Sequence, residues 1–510
     1  MRRPQSLLQS ITALGAFRLA AAIGLLLATG RATHGAADRP TNFVIILVDD
    51  LGWTDLTCYG SKYYETPHVD RLARQGMRFT DAYAACAVCS PTRAAVLTGR
   101  YPARVGVTDW IRARFQRGGI GTPQQNPTRY VGGPGQKLLC PPNPYWMEHD
   151  EVTLAEALAP AGYVSCHIGK WHLGDDDWFP ERQGFTFNLG GCDYGQPPNY
   201  FDPYVNKRSS RGIPTLKPRK KGEYLTDREA DEAVRFITDH RDKPFFLYLA
   251  HYAVHTPIQA KKTLIDKYKT KPPTNQKNPV YAAMIESVDD AVGRVMKTLD
   301  DLDLAKRTCI IFTSDNGGLM GPTHNAPLRA GKGTPYEGGI RVPLIVRWPA
   351  VVQAETVSHA PVTSVDYFPT VLAAASVAMP RDRPVDGKNL IPVLSRRGEL
   401  DRDALYWHFP HYRGKQGPYS IIRAGDLKLI GRYEESRAEL YDLAADLGEQ
   451  NNLAEERPDV VRALGGKLDN WLQAVRAELP KPNPDYQAAS HAVPRIPSPH
   501  HGKHYTVWRP

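Results

Sequence analysis

Unbroken apolar runs alternate with segments of helical periodicity through most of the chain. The runs 42–48, 245–250 and 308–313 contain no charged residue, as expected of strands buried on both faces. Apolar residues at positions 285, 288, 292, 295 and 299 instead follow the repeat of a helix with one buried face. This alternation predicts an α/β fold in which helices cover both faces of a mostly parallel sheet.

Local signals predict where several of the helices begin. Pro67 follows Thr66, a pairing typical of a first helical turn. Thr226 and Glu229 have the spacing of a capping box. Ser90 is predicted to cap a further helix, with Pro91 as its first residue.

Beyond about residue 400 the pattern changes to short strands joined by turns. We predict strands at 406–409, 420–423, 427–430 and 439–443 and a helix over 459–479. These elements form a small α+β subdomain, an antiparallel sheet plus a helix, over 401–490. It would follow a catalytic domain at 38–400 and precede an extended tail at 491–510.

The amino terminus has the features of an export signal. Arg2 and Arg3 precede an apolar stretch of eleven residues at 19–29, and small residues follow up to position 37. Eleven residues are too few to cross a bilayer, which needs about 20. We therefore predict a cleaved signal at 1–37 and an exported protein, periplasmic, extracellular or luminal, without a stable membrane span. Retention as an anchor is the alternative.

Composition excludes several classes of protein. The chain is 42% hydrophobic and 23% charged, as in globular proteins. Four arginines within 1–37 account for part of the net charge of +10, leaving +6 for the rest. That excess permits an anionic substrate, but no nucleic-acid-binding motif accompanies it. The seven cysteines are too few for a disulfide scaffold, and any pairing among Cys58, Cys86, Cys140, Cys166, Cys192 and Cys309 is not predictable.

Acidic residues follow two of the predicted strands directly. Asp49 and Asp50 come after the run 42–48, and Asp315 and Asn316 follow 308–313. Ligands of open α/β sheets bind at the carboxyl ends of strands, so these side chains are expected to converge. An all-oxygen set suits a hard cation such as Ca²⁺ or Mg²⁺. Polar strand-to-loop turns are the alternative interpretation of each pair.

Basic side chains in two other segments fit an anion site. Lys170 and His172 lie two residues apart, a spacing that puts both on one side of an extended segment, and Lys332 lies in a glycine-rich loop. His251 and His255 follow a third strand, at 245–250, and are expected to converge with the acidic residues. Surface lysines and core histidines are the alternative for each one taken alone.

Cys86 and Cys89 raise a separate question, because Cys-x-x-Cys is a redox or metal-binding spacing. No second cysteine pair with zinc-site spacing follows. Cys89 precedes the predicted helix start at Ser90, where free N–H groups favour an anion, and Arg93 lies one turn further on.

Taken together, these motifs resemble those of the type I, formylglycine-dependent sulfatases, in particular the arylsulfatase A and N-acetylgalactosamine sulfatase branch. The segment 89–100, CSPTRAAVLTGR, resembles the Cys-x-Pro-x-Arg signature of that family. The Asp49-Asp50 pair, GKWHLG at 169–174, the His255-Thr-Pro segment, DNGG at 315–318 and the Lys332 loop follow in family order. The resemblance covers about residues 42–480 and implies an alkaline-phosphatase-like fold.

The resemblance also implies a set of roles. Cys89 would be oxidised to Cα-formylglycine by a formylglycine-generating enzyme, so that one hydroxyl of the hydrated aldehyde attacks sulfur and the other expels sulfate. The remaining implied roles are Ca²⁺ binding by Asp49, Asp50, Asp315, Asn316 and residue 89; proton acceptance by Asp315; orientation of the diol by Arg93; sulfate binding by Lys170 and Lys332; protonation of the leaving alcohol by His255; and assistance to sulfate release by His172.

The implied activity is hydrolysis of a sulfate monoester on a saccharide, for example a galactose or N-acetylgalactosamine sulfate. A phosphate or phosphonate ester hydrolase of the same superfamily, a non-catalytic protein that binds sulfated glycans and a redox Cys-x-x-Cys protein are the alternatives. Sugar contacts at Asp109, Trp110, His324, Asn325 and Arg329, or ordinary loop packing there, both fit the sequence.

Overall fold

A mixed sheet of eight strands forms the centre of the structure, a computed structural model that describes residues 40–112, 125–207 and 210–487. Its strand order is β10-β2-β9-β8-β1-β7-β5-β6. The strands are β1 (Asn42–Val48), β2 (Met77–Phe79), β5 (Val164–Gly169), β6 (Phe187–Leu189), β7 (Phe245–His251), β8 (Thr308–Ser314), β9 (Leu344–Arg347) and β10 (Thr356–Ser358). The predicted signal at 1–37 and tail at 491–510 lie outside the described residues.

Strand β1 lies in the middle of the sheet and pairs in parallel with β7 on one side and β8 on the other. Every residue of these three strands is buried. The apolar runs therefore mark the buried centre of the sheet, and the predicted α/β fold is confirmed. Only β9 runs antiparallel to its neighbours β8 and β2.

Helices cover both faces of the sheet. Alternate side chains of β1 pack into two separate apolar cores, one containing Val44 and Ile46 and the other Phe43 and Ile45. The helices are α1 (Pro67–Arg74), α2 (Cys89–Thr98), α3 (Pro102–Val105), α4 (Leu154–Leu158), α5 (Leu225–Asp239), α6 (Lys262–Lys269), α7 (Pro279–Asp301), α8 (Glu337–Ile340), α9 (Tyr367–Ala374), α10 (Ile391–Leu394) and α11 (Pro458–Ala474). No helix within the described ranges has the length and apolarity needed to cross a membrane.

Two predicted helix starts are wrong in detail. The capping box of Thr226 and Glu229 does not form, because α5 begins at Leu225 and Glu229 instead accepts a hydrogen bond from His251 Nδ1 at 2.6 Å. Helix α2 begins at Cys89 rather than after Ser90. The Ser90 hydroxyl is used elsewhere and donates to the His172 carbonyl at 2.9 Å. Tertiary partners thus outcompete the local cap in both places.

A second sheet follows in the last third of the chain. Four antiparallel strands pair in sequence order, and α11 packs against them. The strands are β12 (Leu405–Phe409), β13 (Tyr419–Ala424), β14 (Leu427–Arg432) and β15 (Arg437–Asp442); two small pairs complete the structure, β3 (Ala82–Tyr83) with β11 (Val362–Thr363) and β4 (Leu138–Leu139) with β16 (Lys481–Pro482). The predicted small α+β unit is present, and its boundary at residue 400 stays a prediction.

A group of buried charges joins this second sheet to helix α8. We call it the junction cluster; its members are Glu337, Arg341, Arg423, Lys428 and Glu449. Lys428 Nζ donates to Glu337 and to Glu449 at 2.8 Å each. Both Glu449 oxygens are used, since the second accepts from the Glu337 backbone N–H at 2.7 Å. The cluster fixes α8, and with it the end of the loop that carries Lys332.

Candidate active site

Four adjacent strands deliver the candidate residues to one edge of the sheet. In the order β8-β1-β7-β5, the carboxyl ends of these strands lead to Asp315, to Asp49 and Asp50, to His255 and to Lys170. Because the four strands are parallel, all of these side chains emerge on the same side. These residues therefore lie together at one edge of the sheet, as expected from the sequence.

Asp50 lies at a point where the backbone turns sharply. Its φ of 61° is in the left-handed region, which residues other than glycine seldom adopt. The turn is held by hydrogen bonds from its own N–H to Asp315 Oδ1 at 3.2 Å and from the Leu51 N–H to Ser314 Oγ at 3.0 Å. Residues after β8 therefore fix the conformation of residues after β1.

Beneath this turn lies a buried carboxylate that the sequence did not reveal. Asp55 accepts hydrogen bonds from Tyr281 OH at 2.8 Å, Thr323 Oγ1 at 2.7 Å and Gln276 Nε2 at 3.1 Å. Tyr281 OH is also 3.1 Å from the Asp50 carbonyl. Burial raises the pKa of Asp55 to about 6 against these bonds. The partners lie more than 200 residues away in sequence, so no local motif indicates them.

Three cations neutralise the three acids of the site. Lys170 Nζ lies 2.7 Å from Asp49 Oδ2, and Lys332 Nζ lies 2.5 Å from Asp50 Oδ1. Arg93 donates twice to Asp315 Oδ2, at 2.7 and 3.0 Å. We call these six residues the active-site cluster. All six are buried or nearly so.

The acids differ in how strongly their surroundings favour the charged form. Burial, together with the neighbouring Asp315 charge, raises the pKa of Asp49 well above its ordinary value. For Asp50, burial is outweighed by Lys332 and His255, which lower its pKa. Arg93 likewise outweighs burial and lowers the pKa of Asp315. Added positive charge would thus stabilise ionised Asp49 most.

The donor set fits a hard cation. Three buried oxygens, Asp49 Oδ1, Asp50 Oδ2 and Asn316 Oδ1, have no hydrogen-bond partner within the part of the chain that the structure describes. Each residue uses its other polar atom in the cluster; Asn316 Nδ2, for example, donates to Asp50 Oδ1 at 2.8 Å. Unpaired buried oxygens are unfavourable, and a bound cation would satisfy all three.

Cys89 is the first residue of α2 and is 3% exposed. Its Sγ lies 3.3 Å from His172 Nδ1. The other nitrogen of that ring, Nε2, lies 2.6 Å from the Ile111 carbonyl oxygen. A carbonyl can only accept, so the proton of the neutral ring is on Nε2, and Nδ1 faces residue 89 as an acceptor. Burial, reinforced by Lys170, lowers the pKa of His172 well below its ordinary value and keeps the ring neutral.

His255 lies beside Asp50. Its Nε2 lies 3.6 Å from Asp50 Oδ2, and its Nδ1 lies 2.9 Å from the Thr256 carbonyl. Burial and Lys332 lower the pKa of His255 to about 3. An anionic group that enters between the lysines and His255 would favour the protonated ring.

Cys86 belongs to a different environment from Cys89. The two do not form a disulfide, and Cys86 is buried in an apolar cluster with Trp407 and Tyr419 of the second sheet. Burial raises the pKa of its thiol to about 12. The Cys-x-x-Cys spacing therefore combines a packing residue with the candidate nucleophile, and a redox pair gains no support.

Other residues singled out from the sequence lie outside the cluster. His251 is fully buried against Glu229. Arg329 donates to the Glu449 carbonyl at 2.7 Å and to Tyr441 OH of β15 at 3.1 Å, so its side chain is used in packing against the second sheet. Asn325 Nδ2 donates to the carbonyl oxygens of Gly318 and Ala330, as loop packing requires. His324 is exposed, and Asp109 and Trp110 are half-buried.

Comparison with known proteins gives one consistent result. Residues 41–377 match the profile of the family described as "Sulfatase", and residues 331–478 match "N-sulphoglucosamine sulphohydrolase, C-terminal". A Formosa agariphila protein described as a sulfatase is 35% identical over 88% of this chain and 92% of its own length. The N-acetylgalactosamine-6-sulfatase of Homo sapiens is 37% identical over 73% of this chain and 69% of its own.

Among solved structures, Ps i-CgsB in complex with k-i-k-neocarrahexaose has a TM-score of 0.71 and 28% sequence identity. The match covers 89% of this chain and 94% of that one.

Proposed function

The chain belongs to the type I sulfatase family and is a sulfuric ester hydrolase, and from this premise we propose how its residues divide the reaction. The substrate is a sulfate monoester on a saccharide. The nucleophile derives from Cys89 through conversion to Cα-formylglycine, and a Ca²⁺ ion is held by Asp49, Asp50, Asp315 and Asn316 together with residue 89. The single observation that carries the proposal is the contact of Cys89 Sγ with His172 Nδ1 beside the six-residue charge cluster.

The cation assignment rests on the three unpaired buried oxygens of Asp49, Asp50 and Asn316. Carboxylate and amide oxygens without nitrogen or sulfur ligands favour Ca²⁺ over a transition metal. When bound, the ion would polarise a sulfate oxygen and lower the pKa of the attacking hydroxyl. Its charge would also offset the repulsion that raises the pKa of Asp49.

The two lysines bind the sulfate group. Lys170 and Lys332 each spend one N–H on a carboxylate, and an ammonium group has three. Each can therefore keep its aspartate and still donate to a sulfate oxygen. Held on rigid loops in a buried site, these donors stabilise charge that develops on the oxygens.

Asp315 and His172 accept the protons of the two hydroxyl groups, and His255 donates a proton to the leaving alcohol. The hydrated aldehyde would supply one hydroxyl for attack on sulfur and a second whose deprotonation releases sulfate. Asp315, kept ionised by Arg93, accepts the proton of the first hydroxyl. His172 Nδ1 accepts that of the second, because its tautomer is fixed by the Ile111 carbonyl. Arg93 holds Asp315 in place and orients the diol.

His255 donates a proton to the departing alcohol. Its Nε2 faces Asp50 from the open side of the cluster, where the ester oxygen would lie. The ring is neutral in the free site, because burial and Lys332 lower its pKa to about 3. The negative sulfate ester restores its basicity on binding, so the acid forms only when substrate is present.

The saccharide assignment is supported by the relatives' names. N-acetylgalactosamine-6-sulfatase is among them, and one structural relative was solved with a neocarrahexaose. We propose a galactose or N-acetylgalactosamine sulfate as the substrate. The amino-terminal sequence supports export to a periplasmic, extracellular or luminal compartment, with the formylglycine-generating enzyme met during maturation.

Mass spectrometry of the peptide that contains residue 89 tests the proposal. Protein made together with a formylglycine-generating enzyme should carry the aldehyde and hydrolyse 4-nitrophenyl sulfate, whereas protein made without it should carry the thiol and be inactive. Unmodified thiol in fully active protein would overturn the proposal. Higher kcat/KM on 4-nitrophenyl phosphate or a phosphonate monoester than on the sulfate would reassign the substrate class.

A further inference from the structure

A turn of the second sheet reaches the rim of the active site. It connects β12 to β13 over residues 410–418 and is fixed to the first domain on two sides. His411 Nε2 lies 2.8 Å from Thr108 Oγ1. Tyr412 OH accepts from the Leu138 N–H at 3.2 Å. The turn is therefore held in place at the rim.

Arg413 extends from this turn onto the loop that carries Lys332. A β-carbon placed on Gly333 would come within 2.3 Å of Arg413 Nε and 2.5 Å of Cδ, so the arginine side chain lies directly on that glycine. The Gly333 N–H donates to the Ala87 carbonyl at 2.9 Å, and Ala87 is two residues before Cys89. Arg413 therefore lies where the Lys332 loop meets the Cys89 loop.

The charge of Arg413 has no counter-charge among the residues that the structure describes. Within the described ranges no carboxylate lies within 4.0 Å of its guanidinium, and that group makes no hydrogen bond. Two other arginines of the same sheet are paired: Arg432 with Glu439 at 3.1 Å and Arg423 with Asp81 at 2.7 Å. The difference leaves an unpaired cation beside the loop that carries Lys332.

Arg413 also repels its neighbour. Lys332 immediately precedes Gly333, on which the Arg413 side chain lies, so the two cations are close neighbours. Two cations side by side are unfavourable unless an anion lies between or beside them. Lys332 already has Asp50 and, in the proposed reaction, the scissile sulfate. A second anion would pair with Arg413.

We propose that Arg413 binds a second anionic substituent of the substrate, beside the sulfate that is cleaved. The inference rests on the proposed function and narrows its substrate class to saccharides that carry a further sulfate or a carboxylate near the scissile group. The planar guanidinium fork can bind either group through two parallel hydrogen bonds. The sugar would then be oriented by the second sheet, while the first domain performs the chemistry.

The test compares three substrates in wild type and Arg413→Met. They are N-acetylgalactosamine 6-sulfate, N-acetylgalactosamine 4,6-disulfate and a disaccharide of glucuronate linked to N-acetylgalactosamine 6-sulfate. We expect the ratio of kcat/KM for a doubly anionic substrate to that for the singly anionic one to fall by about 10- to 100-fold, mainly through KM, as loss of a charge-assisted hydrogen bond predicts. A lower ratio for the 4,6-disulfate identifies the second group as sulfate, and a lower ratio for the glucuronate disaccharide identifies it as carboxylate.

Lys415→Met is the matched control, because Lys415 is an exposed cation in the same turn. It should leave all three substrates unchanged. An equal loss on all three substrates in Arg413→Met, or an equal shift of the ratio in Lys415→Met, overturns the inference.

Binding to Cys89→Ala protein separates this inference from the proposed function. By titration calorimetry, the 4,6-disulfate or the glucuronate disaccharide should bind at least tenfold more weakly when Arg413→Met is added. If wild type cleaves no sulfate ester, the proposed function fails, and this measurement still decides the role of Arg413: unchanged affinity for both saccharides overturns it.

Discussion

The junction cluster and the active-site cluster are both built from buried charges, and they differ in how completely their polar atoms are hydrogen-bonded. In the junction cluster every buried carboxylate oxygen and nitrogen finds a partner, with Lys428 between two glutamates. In the active-site cluster the acids and cations are equal in number, yet one oxygen each of Asp49, Asp50 and the adjacent Asn316 has no hydrogen-bond partner among the described residues. A complete network stabilises a fold, whereas an incomplete one marks where a ligand belongs.

The sharpest difference should come from two cysteines three residues apart. Cys89→Ala removes the nucleophile and should lower kcat/KM on 4-nitrophenyl sulfate by about 10⁴-fold, roughly 5.5 kcal/mol. Cys86→Ala leaves a small cavity among the side chains that face the second sheet and should cost about 1 kcal/mol of stability with activity retained. Activity assays and urea unfolding of both variants check this. Comparable activity in the two would contradict the division between them.

Removing the central cation of the junction cluster should affect stability rather than catalysis. Lys428→Met leaves Glu449 buried without a counter-charge, whereas Glu337 keeps Arg341, and this should lower the free energy of unfolding by about 3–5 kcal/mol. The double variant K428M/E449Q has no such uncompensated charge and should recover most of that loss. Unfolding in urea measures both. A single variant as stable as wild type would show that the cluster does not need its lysine.

Divalent-cation removal should act on the other cluster alone. Dialysis against a chelator should abolish most activity, and Ca²⁺ at about 100 times its Kd should restore it and add about 2.7 kcal/mol of stability. Lys428→Met should show the same gain, because its defect lies elsewhere. Activity and thermal midpoint that are both insensitive to chelation would contradict a metal at the unpaired oxygens.

The smallest effect is a pH dependence at the junction. Burial, partly opposed by Lys428, raises the pKa of Glu449 from 4.5 to about 6. The folded state therefore holds this proton more tightly than the unfolded state, and stability contributed by Glu449 is lost as the pH rises through that window. From pH 4.5 to 6.5, wild type should lose up to about 2 kcal/mol relative to Glu449→Gln. Unfolding in urea at each pH measures this, and an equal change in the free energy of unfolding of the two proteins from pH 4.5 to 6.5 would contradict the prediction.

What the sequence predicted well is the part of the site that depends on strand ends. Asp49, Asp50, Asp315 and Asn316 follow buried strands directly, so the parallel sheet alone brings them together. The support under that edge was not predictable. Asp55 and Tyr281 meet across 226 residues, and no local pattern encodes such a pairing.

Local rules also failed where tertiary contacts competed with them. Ser90 has the identity of a helix cap, but its hydroxyl is bound to the His172 carbonyl. Glu229 has the spacing of a capping box, but a buried histidine takes its carboxylate. Arg413 carries no signal in sequence at all, because its position beside Lys332 is set by how the second sheet packs.

The burial of the segment around Cys89 bears on the order of events during biosynthesis. Residues 82–99 are all buried, and part of this segment is covered by strands that the ribosome makes about 300 residues later. Because Cys89 is only 3% exposed in the folded chain, we expect the conversion proposed for it to be finished before the second sheet packs against the neighbouring residues 86–88. Slowing the synthesis or folding of the last third of the chain should lengthen the time during which Cys89 is accessible and raise the fraction of Cys89 that is converted. Folded thiol protein mixed with the enzyme afterwards should stay unconverted.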